Sequence, residues 1–442
     1  MAEAAHAGAK YVNGVHIYIT HLVHAGMNPQ SYHAIFPLML YEGKETRAAL
    51  QTVLGPLNAE MDELQQPHQI PGLDGLYQCE FTCCADLFAL IKMMRPAANE
   101  TLDNIKQKSC TCPCCGEQRS NSKKNNKAGW KSNLDEGVWS SIPNTPLAAP
   151  VWKLPLKKWV FCILHMKVRV AGTLLKYMAR EAEVTNKVSD LSTAIQQIVR
   201  TFNITKKGEV VKSSGKRNTK QAKISALQGG QVDKLLECVR ATYSEQSTQK
   251  EQESAQLWTD VLESIGLQAN SVKQQRHTRL WELLTQCYDL LNNTDKITET
   301  QLEQYKHKIA QFGQTFLDTC GGLKGVTPYV HIMVKHSYSY LKEYGSLRPW
   351  SQESFEASHK RHKQLYNKTN FGGGKNGNPS SAFLQVLQKL FRRQYLQKKI
   401  TEENTSHVSA LKEFAGSHRA RAELRAKALR KAASRIDRTS AS

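Results

Sequence analysis

The 442-residue chain has no run of about 18 consecutive apolar residues, so no membrane-spanning helix and no membrane partner are expected. Its first residues, Met1 to Lys10, lack the charged-then-apolar layout of a secretory signal. Cytosol or nucleus is the expected location, and the nucleus if the partner is DNA. Acidic residues are scarce: 39 Asp and Glu stand against 60 Lys and Arg, a formal charge of +21. Such an excess is best neutralised by a polyanion whose counterions are released on binding, which makes nucleic acid the leading partner. A basic solvated surface with no specific ligand is the plain alternative. The glycine-rich loop Phe371-Gly-Gly-Gly-Lys-Asn-Gly-Asn-Pro379 lacks the closing Gly-Lys-Ser/Thr, so it does not read as a phosphate cradle.

Apolar residues make up 40% of the chain, enough for a large core, and its length suggests a soluble globular protein of two or three units at roughly 150 residues each. Eleven cysteines without a secretory signal argue for free thiols, and their clustering argues for metal.

Local pattern predicts an α/β beginning. Gly14 to His21 and Phe36 to Leu40 read as strands, Thr46 to Leu64 as a helix interrupted at Gly55-Pro56, and Gly75 to Thr82 as a third strand leading into Cys83-Cys84-Ala85-Asp86. Leu87 to Met94 reads as a helix, and the polar, proline-bearing stretch 116 to 150 as a connector. From Trp159 to about Phe202 the spacing is helical throughout. After a basic break from Lys206 to Lys223, further helices are expected near Val232 to Tyr243, Ala255 to Leu291 and Thr298 to Thr319, the last capped by Gly321-Gly322. The middle third is thus expected to be all α. Ala382 to Lys399 reads as a helix carrying Arg392 and Arg393, and His418 to Arg438 as a basic helix or arm containing Arg419, Arg421 and Arg425.

Four thiols fall within Cys110-Thr-Cys112-Pro-Cys114-Cys115. A Cys-x-x-Cys pair such as Cys112 and Cys115 supplies two tetrahedral zinc ligands from one tight turn. His331 and His336, with usual zinc-ligand spacing, would complete a Cys2His2 site joining the early segment to the late one. The competing reading is a free-thiol cluster and two unrelated histidines. Among the carboxylates, Asp86 follows a candidate strand and Glu356 lies in Trp350-Ser-Gln-Glu-Ser-Phe-Glu-Ala-Ser-His-Lys360. Taken singly, each is an ordinary surface acid.

Taken together, these positions resemble the V(D)J recombinase catalytic subunit and the related Transib-type transposases. The resemblance is most specific from Thr327-Pro-Tyr-Val-His331 to Lys360, where paired zinc histidines are followed by Gly-x-x-x-x-Trp and a glutamate. It extends more weakly over about residues 12 to 400, through Pro37-Leu-Met-Leu40 and Leu57-Asn-Ala-Glu60, then Cys112, Cys115 and Leu164-His165. It implies a zinc-stabilised RNase H-like α/β core, residues 12–160 with 325–400, split by a helical insertion at 161–324 and followed by a basic tail at 401–442. It also implies structural Zn2+ on Cys112, Cys115, His331 and His336. Asp86 and Glu356 would be two of three carboxylates holding catalytic Mg2+ or Mn2+, the hard cations such oxygen ligands suit. DNA would be the partner, contacted by Lys360, Arg361, Lys363, Arg392, Arg393 and the tail arginines, and a homodimer is a further expectation.

One feature departs from the family. Its first catalytic aspartate sits in an Asp-Gly strand ahead of the segment seen here, and no Asp lies between Met1 and Val15. The triad is therefore expected to be incomplete, through truncation at the 5′ end or retention for binding, and the chain as written is expected to bind DNA without cutting it. The alternative from another class is a zinc-stabilised nucleic-acid-binding or scaffold protein with no catalytic role.

Overall fold

The computed structural model describes residues 2–7, 10–20, 35–42, 47–69, 74–85, 151–202, 223–245 and 248–353. It also describes short pieces at 87, 90, 109–112, 114–115, 118–120, 129–130, 204–205, 355–356, 388–389 and 392. Two compact units emerge, Met1–Ala5 with Val12–Arg361 and His6–Tyr11 with His362–Ser442. The described parts of the first are mostly helical, with few and small strands.

Strands β1 (Ala2–Ala7), β2 (Lys10–Thr20) and β3 (Ile35–Glu42) form a sheet in that order, with β2 and β3 antiparallel from Gly14↔Glu42 to Thr20↔Ile35. The expected helix across Thr46 to Leu64 is two helices, α1 (Arg47–Leu54) and α2 (Leu57–Leu64), parted at Gly55-Pro56 as the ring and missing N–H of proline require. The third expected strand is placed differently. Only β5 (Leu76–Tyr77) pairs in that stretch, with β4 (His68–Gln69), while β6 is Cys83–Ala85. Leu76 is 69% exposed and Tyr77 37%, so a β-prone composition here does not cover a core.

A second difference lies at Trp159. Helical spacing runs through it, but Trp159–Phe161 is a strand, β10, fully buried and parallel to β6 in the register Trp159↔Cys83 to Phe161↔Ala85. A short apolar run buried on both faces carries no alternation, so its period cannot separate strand from helix. Helix α3 (Ile163–Val184) then follows, with Met166, Val170, Leu174, Met178 and Ala182 buried at every fourth position. It stops at Thr185. Asn186 takes φ 59°, a left-handed turn that Asn tolerates better than most residues, and α4 (Val188–Ile198) begins.

Beyond the two-residue ladder β11 (Ile204–Thr205) with β12 (Lys223–Ile224), the helices resume as α5 (Gly229–Ala241), α6 (Gln249–Glu263), α7 (Val272–Leu291) and α8 (Glu299–Thr319). The single stretch expected from Ala255 to Leu291 is thus two helices. Gly266 (φ 74°) and Asn270 (φ 60°) turn the chain between them, and Ser271 caps α7 by accepting from Gln274 N. Thr248 and Thr298 close capping boxes with Glu251 and Gln301 at the starts of α6 and α8. Trp258 of α6 and Trp281 of α7, both fully buried, meet edge to face with centroids 5.0 Å apart. Trp281 Nε1 donates to Met178 Sδ of α3 at 3.1 Å, which joins three helices at one point.

Candidate metal centre and the neighbouring acid cluster

The two cysteines of the Cys-x-x-Cys pair stand between β7 (Ser109–Thr111) and β8 (Gln118–Ser120), an antiparallel hairpin extended by β9 (Gly129–Trp130). The two histidines come from the other end of the chain. Thr327 caps α9 (Pro328–Lys335) by accepting from Val330 N, and Pro328 fills the first turn, where its missing N–H costs nothing. On an unbroken helix, residues five apart point roughly 140° away from each other at about 100° per residue. Here the helix breaks at His336 (φ −122°, ψ −25°) before α10 (Ser337–Tyr344) starts, and the imidazoles converge to a centroid distance of 5.2 Å.

Zinc bonds of about 2.3 Å to sulfur and about 2.0 Å to nitrogen, arranged as a tetrahedron, set ligand-to-ligand edges near about 3.5 Å. Cys112 Sγ lies 3.4 Å from His336 Nε2, and Cys115 Sγ lies 3.3 Å from His331 Nε2. All four ligand atoms fall within 4.8 Å of one another. The donor set fits zinc: two soft thiols and two imidazoles, with Cys112, His331 and His336 buried and Cys115 half-buried.

The electrostatics agree with that role. Burial, then His336 and Lys335, push the His331 pKa down to about 2, so this imidazole stays neutral and keeps a lone pair for a cation. Burial raises the Cys112 thiol far above its ordinary value, and Cys115, which donates its S–H to Cys112, is raised by that hydrogen bond and then by burial. Thiolates in such surroundings require a compensating cation. Cys114 turns elsewhere: the Tyr340 hydroxyl donates to Trp159 O at 2.6 Å, leaving its oxygen to accept from the Cys114 thiol at 3.5 Å. Tyr340 thereby ties the cysteine turn to β10.

Close to the ends of β6 and β10 is the segment that carries Glu356. Trp350 Nε1 donates to Thr82 Oγ1 (3.2 Å), Cys84 Sγ donates to Trp350 O (3.1 Å), and Gln352 Nε2 donates to Cys84 O (2.9 Å). This stitching holds residues 350–352 against β6. Glu356 Oε1 then meets His165 Nε2 of α3 at 3.2 Å, and Glu353 Oε1 meets Lys167 Nζ of the same helix at 3.4 Å. Lys167, a residue the sequence pattern did not single out, also pairs with Asp233 of α5. A visible signal existed, since Lys167 is the second member of the stripe Ile163, Lys167, Ala171, Leu175, Ala179, where every other member is small or apolar.

Asp86 lies outside the described residues. Its neighbours are buried: Ala85 O accepts from Cys162 N at 3.3 Å and Leu87 N donates to Tyr329 Oη at 3.3 Å. Lys360, Arg361, Lys363, Arg393, Arg419, Arg421 and Arg425 also lie outside the described residues, and Arg392 is helical and exposed. Among the described residues, the Cys112, Cys115, His331 and His336 set is the one group of three or more ligand side chains able to hold a metal ion. The acids near Glu356 do not form a second cage there, because Glu356 faces an imidazole and Glu353 an ammonium. A paired Mg2+ or Mn2+ site is not shown among the described residues, which do not include Asp86. No family model matches this chain, and no curated protein does.

Proposed function

We propose that this chain is a DNA-binding protein derived from an RNase H-like transposase core, held together by one structural zinc and binding duplex DNA without cutting it. The observation that carries this reading is the gathering of the Cys112, Cys115, His331 and His336 ligand atoms within 4.8 Å of one another, with Glu356 twenty residues beyond His336. Those positions are separated by more than two hundred residues of chain, and their convergence is what the transposase resemblance requires of them.

Charge supplies the binding. Residues 357–442 contain nineteen lysines and arginines against five acids, so about two thirds of the +21 excess lies in this last fifth of the sequence. Lysine and arginine there neutralise phosphates and release counterions, which gives affinity without sequence readout. A zinc-organised nucleic-acid-binding or scaffold protein with no catalytic role is the second reading, favoured by the commitment of Glu353 to Lys167.

Fluorescence anisotropy on a labelled duplex at several salt concentrations tests the reading. Each phosphate contact contributes about −0.9 to the slope of log K against log salt, so a slope of several units is expected. Deleting residues 416–442, which remove eight basic residues, should flatten it by several units. An unchanged slope would move the contacts to the remaining chain, and no binding at low salt would refute the proposal.

A further inference from the structure

We infer that Lys167 is a positioning residue: its buried ammonium, shared by Asp233 and Glu353, fixes the Glu353-to-Glu356 turn on α3 and serves as the resident cation of that acid cluster in place of a divalent ion. The inference rests on the proposed reading only in treating Glu356 as a residue whose placement matters.

The Lys167 side chain is fully buried, whereas the Asp233 and Glu353 side chains are each 51% exposed. The acids reach inward to the lysine, and the ammonium, with no access to water, depends on them for its hydrogen bonds. It also lies 4.6 Å from the centre of the Tyr288 ring of α7, which adds a cation–π contact. Burial acts against its charge, but Tyr288 and Asp233 outweigh burial and hold its pKa above the ordinary lysine value. A lone lysine in an apolar helix stripe therefore stays charged and gathers elements from three parts of the chain.

The placement has a direction. Going forward along α3, His165 meets Glu356 and Lys167 meets Glu353, so the late segment runs backward across the helix on two polar rungs. Two rungs fix orientation where one would allow swivelling. They also engage Glu356, one of the two carboxylates the resemblance assigns to a hard cation, and a fixed positive charge beside Glu353 repels a second cation placed near these acids.

The zinc-loaded full chain and its Lys167→Met and Glu353→Gln variants test this by two measurements. Manganese binding is read from the electron paramagnetic resonance signal of free Mn2+, and backbone opening from amide hydrogen exchange at 351–356. Methionine matches the length and burial of the lysine without its charge. Lys167→Met is expected to bind Mn2+ at least tenfold more tightly than wild type, and the added Glu353→Gln should abolish that gain. Without Mn2+, exchange at 351–356 should rise at least tenfold in each single variant, while α9 remains protected. Unchanged Mn2+ affinity together with unchanged exchange in Lys167→Met would overturn the inference. So would a wild type whose segment is protected only when Mn2+ is present. If Lys167→Met fails to fold, seen as lost protection in α9, Glu353→Gln decides: faster exchange at 355–356 supports the rung and wild-type protection refutes it. Neither measurement involves DNA, so this inference and the DNA-binding proposal fail separately.

Discussion

Replacing His331 with alanine, or removing metal with a strong chelator, is expected to unfold the core that the zinc centre joins. Binding of a structural zinc contributes about 10 kcal/mol or more, comparable to the total stability of about 5–15 kcal/mol that a folded domain has. The contact is also non-local. Cys112 and His336 are 224 positions apart, so the metal closes a very long loop, and nothing in the hairpin of two three-residue strands could do so by itself. Without the ion the site would hold one buried and one half-buried thiol against the neutral His331 imidazole, with no cation to stabilise the thiolates. Elemental analysis with thermal unfolding checks this. One zinc per wild-type chain is expected, with near-complete loss of metal and of cooperative unfolding in His331→Ala. A metal-free wild type as stable as the metal-loaded protein would contradict it.

Trp281→Ala is the second large effect. The indole is fully buried, packs edge to face on Trp258 and donates to Met178, so its removal deletes area, a ring contact and a hydrogen bond at the meeting of α3, α6 and α7. Truncations of this kind cost about 3–5 kcal/mol, because the surrounding helices only partly collapse into the cavity. A melting temperature about 10 °C lower is expected for a unit of this size. Val184, 83% exposed at the end of α3, is the control: its change to alanine should shift stability by less than about 0.5 kcal/mol. Equal shifts for the two variants would show that α3, α6 and α7 do not share the core described here.

The Cys/His cluster, which could hold a metal ion such as zinc, is legible because its chemistry is written in spacing: a Cys-x-x-Cys turn and two histidines with four residues between them. Periodicity also located most helices, since α3, α5, α7 and α8 bury one face each and repeat every three to four residues. Its failures have common causes. Trp159–Phe161 is too short and too thoroughly buried to show a period, and the turn at Gly266 to Asn270 interrupts a helical pattern without any proline. The α/β expectation for residues 12–160 meets a stretch whose described strands, β2 and β3 apart, are two or three residues long, among which β6 and β10 form a parallel pair. Lys167 stands out as the one charged member of its helix stripe, but its partners are not visible in the sequence. A lysine in a stripe looks like a solvated residue until α5 and the segment after Trp350 bring Asp233 and Glu353 to it.

The central claim, binding without cleavage, is tested most directly on supercoiled plasmid, with shift and nicking read in the same reactions containing Mg2+ or Mn2+. In-line phosphoryl chemistry of the two-metal kind needs several carboxylates free to hold both ions, about 3.5–4 Å apart. Among the described residues Glu356 faces His165 and Glu353 faces Lys167, so the cluster as built lacks that freedom. The account predicts that wild type, Glu356→Gln and Asp86→Asn all retard the plasmid and none nicks it. Nicking by wild type that both substitutions abolish would contradict it, and would mean that the carboxylates near Glu356 still form a working metal site.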